Sequence, residues 1–224
     1  MKQTVRKLLQ AARGATGAGP RMERISAEFV GLPYCTNLIG SVAVREVFVS
    51  ALDEFDCVTF IETVLALARA KVAEEFPEVL KRIRYHHGNV EWTARNHYMT
   101  QWVRNNEKAG FVHRLRVPRA TVLKDRDLNV VPGLRSIRGK FAVVPKRELL
   151  RSADKVETGD LLFFGSTRSH LDIFHCGMLL KRDGELIMRH ASRSKGGVVD
   201  QELSDFLRNN RMSGVLLARP TEFV

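Results

Sequence analysis

The chain has 224 residues, 44% of them hydrophobic, with three cysteines and a formal net charge of +11. That size and composition imply one substantial core in a single domain. They exclude a disulfide framework and a zinc-binding cysteine array, and no apolar run is long enough to span a bilayer, so stable membrane insertion is not expected.

Met1–Arg13 reads as a short helix or loose arm. It is basic but lacks the roughly 7–15-residue apolar core of a secretory signal. Gly14–Pro20 reads as a linker. The expected division is therefore an arm and linker over residues 1–20 and one domain over residues 21–224. The location stays open between the cytoplasm and export by a specialised route.

Asp56 then caps a helix whose first residue is Cys57, and Phe60, Ile61, Val64, Leu65 and Ala68 repeat on one helical face. The pattern continues over Val64–Val79 until Pro77 interrupts it. Leu80–His87 is a further helical stretch, ended by Gly88, and Arg95–Lys108 is another, with Tyr98, Trp102 and Val103 on one face. Residues 111–147 suit short strands and long loops. A turn at Thr158-Gly159-Asp160 leads into a strand over Leu161–Phe164. Two more strands flank Asp183-Gly184, a strong hairpin signal. A small helix over Gln201–Asn209 and a strand over Gly214–Arg219 complete an α+β arrangement, in which a helix bearing Cys57 packs on a following antiparallel sheet.

Chemistry concentrates at three residues. At a helix N-terminus the macrodipole favours the Cys57 thiolate. With Asp183 and Gly184 as the two-residue turn, Arg182 faces Glu185, His190 faces Gly177 and Ser192 faces His175. His175 and His190 then share a face as diagonal neighbours, about 7–8 Å apart at the backbone. A one-residue slip would separate them. A cysteine nucleophile, a histidine base and a second orienting histidine follow from this placement. Cys176 alternates to the other face. Arg95, His97, Tyr98 and Trp102 form a polar-aromatic cluster that a core helix does not require, and it is expected beside the substrate cleft. His86, His87, His113 and His170 default to surface or loop positions.

Asp56-Cys57 at a helix start, the Gly159–Phe164 strand, His175-Cys176-Gly177-Met178 and His190-Ala191-Ser192, in that order, resemble the NlpC-type, papain-like cysteine peptidases and amidases of bacterial cell-wall metabolism. Phe55–Glu62 and Arg95–Trp102 resemble more closely the branch described as N-acetylmuramoyl-L-alanine amidase-like. The resemblance runs from about Gly31 to Arg219. It implies a papain-like core, Cys57 as nucleophile, His175 as general base and His190 as third polar residue. It also implies a tyrosine near the site, here Tyr34, and Tyr34, Asp56 and Ser192 join the cluster above as substrate-binding positions. The implied substrate is peptidoglycan or a soluble muropeptide, cut between the lactyl group of N-acetylmuramic acid and L-alanine. The runner-up is the bond after γ-D-glutamate. No metal or organic cofactor is required.

Two other classes remain. Zinc could take Cys57, His175 and His190, although no closely spaced ligand pair anchors a site. A non-catalytic module could keep the fold and hold anionic glycan. The basic residues are dispersed over many stretches, Arg114–Arg119 and Arg135–Lys140 among them, with no nucleic-acid-binding motif interleaved. A generally basic, solvated surface is the reading adopted, without a nucleic-acid partner.

Overall fold

The structure is a computed structural model that describes residues 1–36, 45–116 and 122–222. Part of the basic stretch Arg114–Arg119 lies outside the described residues. In chain order the elements are α1 (Lys2–Ala11), α2 (Ala18–Ala27), α3 (Cys57–Arg69), α4 (Phe76–Arg84), α5 (Met99–Lys108), β1 (Val112–Leu115), β2 (Val122–Leu128), β3 (Ile137–Val143), α6 (Lys146–Arg151), β4 (Leu161–Gly165), β5 (Ile173–Arg182), β6 (Glu185–Ser192), β7 (Gly197–Glu202), α7 (Leu203–Asn209) and β8 (Val215–Pro220). No helix among the described residues is long and apolar enough to cross a membrane.

The fold is α+β. Six strands form an antiparallel sheet in the order β1-β8-β4-β5-β6-β7, and β2 pairs with β3 in a separate hairpin. The larger core cluster joins Phe60, Ile61, Val64 and Leu65 of α3 to Phe163, Cys176, Met178 and Ala191 of the sheet. A smaller cluster holds Phe164, Leu179 and Met188 with Leu203, Phe206 and Leu207 of α7. Phe163 and Phe164, like Met178 and Leu179, are successive strand residues, so the two clusters line opposite faces of the sheet. Helix α3 is buried from Thr59 to Ala68, which makes it the central helix of the molecule.

The expected cap and hairpin are both present. The Asp56 side chain accepts from the N–H groups of Val58 and Thr59, and Thr59 reciprocates to the Asp56 N–H, closing a capping box. Arg182 pairs with Glu185 and Met178 with Arg189. Asp183 and Gly184 both adopt positive φ, 50° and 83°, as a two-residue turn between twisted strands requires. Gly177 lets the strands close: a Cβ there would meet the His190 Cβ at 3.0 Å.

Several boundaries differ from expectation. Helix α3 stops at Arg69 rather than running to Val79, and Ala70 is extended. The Arg69 guanidinium is drawn to Gly110 O and Thr221 Oγ1, both at 2.9 Å. Pro77 stands in the first turn of α4 and so helps start a helix, because proline lacks only an N–H that has no partner there. Helix α5 begins at Met99, leaving Arg95 and His97 in the preceding segment. At the N-terminus, Val5 and Leu8 of α1 are buried in the larger core cluster. The glycine-rich stretch expected as a linker runs into the first turn of α2. Gly19 there packs so closely that a Cβ would collide with the Thr158 carbonyl oxygen.

Candidate active site

Cys57 occupies the first position of α3 and is half-buried. Three elements meet at it. The Cys176 thiol, from β5, donates to the Cys57 carbonyl at 3.1 Å and lies close enough to the Cys57 thiol to act on its acidity. His175, next along that strand, also hydrogen-bonds the thiol. Tyr34 comes from a segment threaded between the start of α3 and the β6–β7 turn: Cys35 N donates to Phe55 O at 3.0 Å, and Tyr34 N to Gly196 O at 2.9 Å.

A β-bulge aims His175. Phe164 pairs with His175 but Gly165 pairs with Ile173, so Phe174 is the extra residue. Asp172, just before the bulge, holds the entry to β5 against α5, accepting from Thr100 N at 2.8 Å and Thr100 Oγ1 at 2.7 Å. His175 Nε2 then lies 2.6 Å from His190 Nδ1. The ring centroids are 4.8 Å apart at an interplanar angle of 83°. Phe206 of α7 packs on both rings, at 5.5 and 5.6 Å.

The electrostatics divide the two thiols. The hydrogen bond from Cys176, opposed by burial and reinforced by the charge and hydrogen bond of His175, holds Cys57 well below the ordinary thiol range. Burial, followed by the contact with Cys57, pushes Cys176 well above it. Cys57 is therefore the more acidic of the two thiols and Cys176 the one that keeps its proton. Burial and the charge of His175 push His190 down to about 3, so it is neutral at physiological pH. Burial and the neighbouring Cys57 raise Asp56 to about 6. Burial, then Cys57 and Asp56, raise the Tyr34 phenol above its ordinary value, so it keeps its proton. Among the described residues no group of three histidine, cysteine or acidic side chains is placed to hold a metal ion.

Of the sequence-derived positions, Cys57, His175, His190, Asp56 and Tyr34 converge. The others are engaged elsewhere. Trp102 is fully buried, donating Nε1–H to Glu62 Oε1 at 3.1 Å and packing on Phe163. Arg95 is buried in an ion pair with Glu46 at 2.9 Å, and Glu46 also accepts from Tyr85 at 2.7 Å. His97 Nε2 bonds Trp92 O at 2.7 Å. The buried Tyr98 precedes α5, with its hydroxyl 3.4 Å from Val131 N. Ser192 is buried at the end of β6, where its Oγ lies 3.2 Å from Ser194 Oγ. Strand alternation in the sequence places Cys176 on the face away from His175 and says no more. Its contact with Cys57 depends on how α3 lies on β5, which the sequence does not express. Gln201, a neighbour of His190 on β7, carried no signal at all.

An α3 that begins with a cysteine beside paired histidines of an antiparallel sheet defines a class of molecule, and comparison with known proteins gives the family. The chain belongs to the AmiA-like, N-acetylmuramoyl-L-alanine amidase-like family, whose model matches residues 24–215. Among solved structures, a protein from Legionella pneumophila str. Philadelphia 1, assigned to the DUF1460 family, is 23% identical, with a TM-score of 0.87 over 99% of this chain and 95% of that one. An N-acetylmuramoyl-L-alanine amidase from Bacteroides uniformis is also 23% identical, with a TM-score of 0.81 over 91% of this chain and 99% of that one. A Bacteroides fragilis protein described as a candidate xylanase is 24% identical, with a TM-score of 0.75 over 87% and 98%. At these identities the structural likeness defines the fold. No curated protein matches the chain. The family makes the protein amidase-like and implies a peptidoglycan-related substrate.

Proposed function

We propose that the protein is a cysteine-dependent amidase with an NlpC-type, papain-like core, hydrolysing the N-acetylmuramoyl–L-alanine bond of peptidoglycan fragments. The observation that carries this reading is the continuous contact from the low-pKa Cys57 thiol through His175 to His190. The choice of bond rests on the family.

His175 presents Nδ1 to Cys57, because its Nε2 is committed to His190. It draws the thiol proton, and the thiolate attacks the lactyl carbonyl. The resulting oxyanion meets the Cys57 N–H, one of the first-turn donors without an intrahelical acceptor. The neutral Tyr34 phenol supplies a second donor. His175 then passes its proton to the departing amine of L-alanine, the C–N bond breaks, and a thioester remains on Cys57. Water, deprotonated by His175, cleaves the thioester and releases the free lactyl carboxylate. His190 accepts from His175 throughout and fixes its ring angle. Asp56 caps the helix that carries the nucleophile.

Mass spectrometry of soluble muropeptides incubated with wild type and Cys57→Ala tests the reading. A free stem peptide beginning with L-alanine is expected from the wild type, falling by about 10³-fold or more in the variant. Fragments cut after γ-D-glutamate would overturn the bond assignment. Equal turnover by the variant would overturn the nucleophile.

A further inference from the structure

The proton positions on the two histidines involve one more residue. If His175 receives the Cys57 proton on Nδ1, its own neutral-state proton sits on Nε2 and is donated to His190 Nδ1, 2.6 Å away. The neutral His190 ring must then carry its proton on Nε2. That nitrogen is buried and has no hydrogen-bond partner, an unfavourable state for a donor.

Gln201 is the polar side chain whose amide acts on this ring. On the β6–β7 ladder His190 pairs with Val199 and Met188 with Gln201. Gln201 is thus the diagonal neighbour of His190 on the same face of the sheet, close enough for its amide to act on the ring. The surrounding charges do not compete for this proton. Asp200 is occupied by Arg189 at 2.6 Å and Arg182 at 2.9 Å. On α7, Asp205 and Arg208 pair with each other at 2.9 Å, and the ring contact from that helix is Phe206.

We propose that Gln201 is a positioning residue, whose Oε1 accepts the Nε2 proton of His190 after a side-chain rotation and so locks the tautomer that supports His175. This rests on the cysteine-amidase reading and extends its relay by one residue. Leucine at position 201 removes the acceptor. Glutamate keeps it in nearly the same shape.

Two measurements on the intact protein, neither needing substrate, test this: the pH dependence of Cys57 alkylation by iodoacetamide, and the ring ¹⁵N shifts of His190. For wild type, alkylation persists below pH 7 and His190 shows the Nε2–H tautomer. Gln201→Leu is expected to slow alkylation at pH 6 by at least about fivefold, the loss of one buried hydrogen bond, and to mix the His190 tautomers. Gln201→Glu restores both. An unchanged profile and tautomer in Gln201→Leu would overturn the role of Gln201 while leaving the cysteine mechanism standing, as would equal slowing in Gln201→Glu. Wild-type alkylation confined to pH 8–9 would overturn the cysteine reading and this inference together.

Discussion

His190 and Asp56 show how burial shapes single residues of the site. For His190 the sign of the pH effect follows from its depressed pKa, about 3 in the fold against an ordinary 6.5. Above pH 6.5 both folded and unfolded chains leave it neutral. As pH falls from 6.5 toward 3 the unfolded chain takes up a proton that the folded chain refuses, so stability is lost. Urea denaturation across this window is expected to show a shallower loss for His190→Gln than for wild type. The half-buried His97, also depressed by burial, keeps part of the slope in both proteins. Equal slopes would mean that His190 is solvated in the fold. Asp56 gives a separate test. Asp56→Asn keeps an oxygen for the Val58 and Thr59 N–H groups, whereas Asp56→Ala leaves them open at a cost of about 1 kcal/mol. For a chain of this size that is about 2–4 °C in melting temperature, with Asp56→Asn close to wild type.

At the scale of elements, α3 is held by a polar network inside the apolar core. Glu62 accepts from Arg84 at 2.6 Å and from Trp102 at 3.1 Å, and the Glu62 and Arg84 side chains are only 2% and 3% exposed. Removing one partner leaves the other charge buried. Arg84→Met is therefore expected to cost about 3–5 kcal/mol in denaturant unfolding, and Glu62→Gln in the same chain recovers part of it. A loss below about 1 kcal/mol would show that water reaches the pair. This network also explains why the segment around Trp102 reads as polar and aromatic in sequence. Trp102 and Val103 are buried on α5 as expected, while Tyr98 stands just before the helix, and the indole is committed to Glu62, 40 positions away. The start of α3 and the β5–β6 hairpin were legible because capping boxes and Asp-Gly turns are encoded within four residues. The end of α3 was not, since Arg69 finds its partners at Gly110 and Thr221. Nor was the bulge at Phe174, which depends on how β4 meets β5.

At the scale of the whole molecule, the α+β class and the order helix-then-sheet follow from periodicity alone. The histidine pairing follows from counting outward from one turn. What brings Cys57 to that pair is the packing of α3 on β5, reported by the Cys176 contact. Glycines that read as punctuation prove to be packing positions as well, as the approach of Gly19 to Gly159 shows. The basic surface is spread through the chain, and several of its arginines are spent internally on Glu62, Glu46, Asp160 and Asp200. The central claim is that Cys57 carries the acyl half of a muramoyl amide. Rapid-quench intact-mass analysis of the wild type with a soluble muropeptide tests it most directly. The account predicts a transient adduct on Cys57 equal to the N-acetylmuramoyl-containing acyl group, absent in Cys57→Ala. Turnover with no adduct on Cys57, or an adduct bearing L-alanine and γ-D-glutamate, would contradict it.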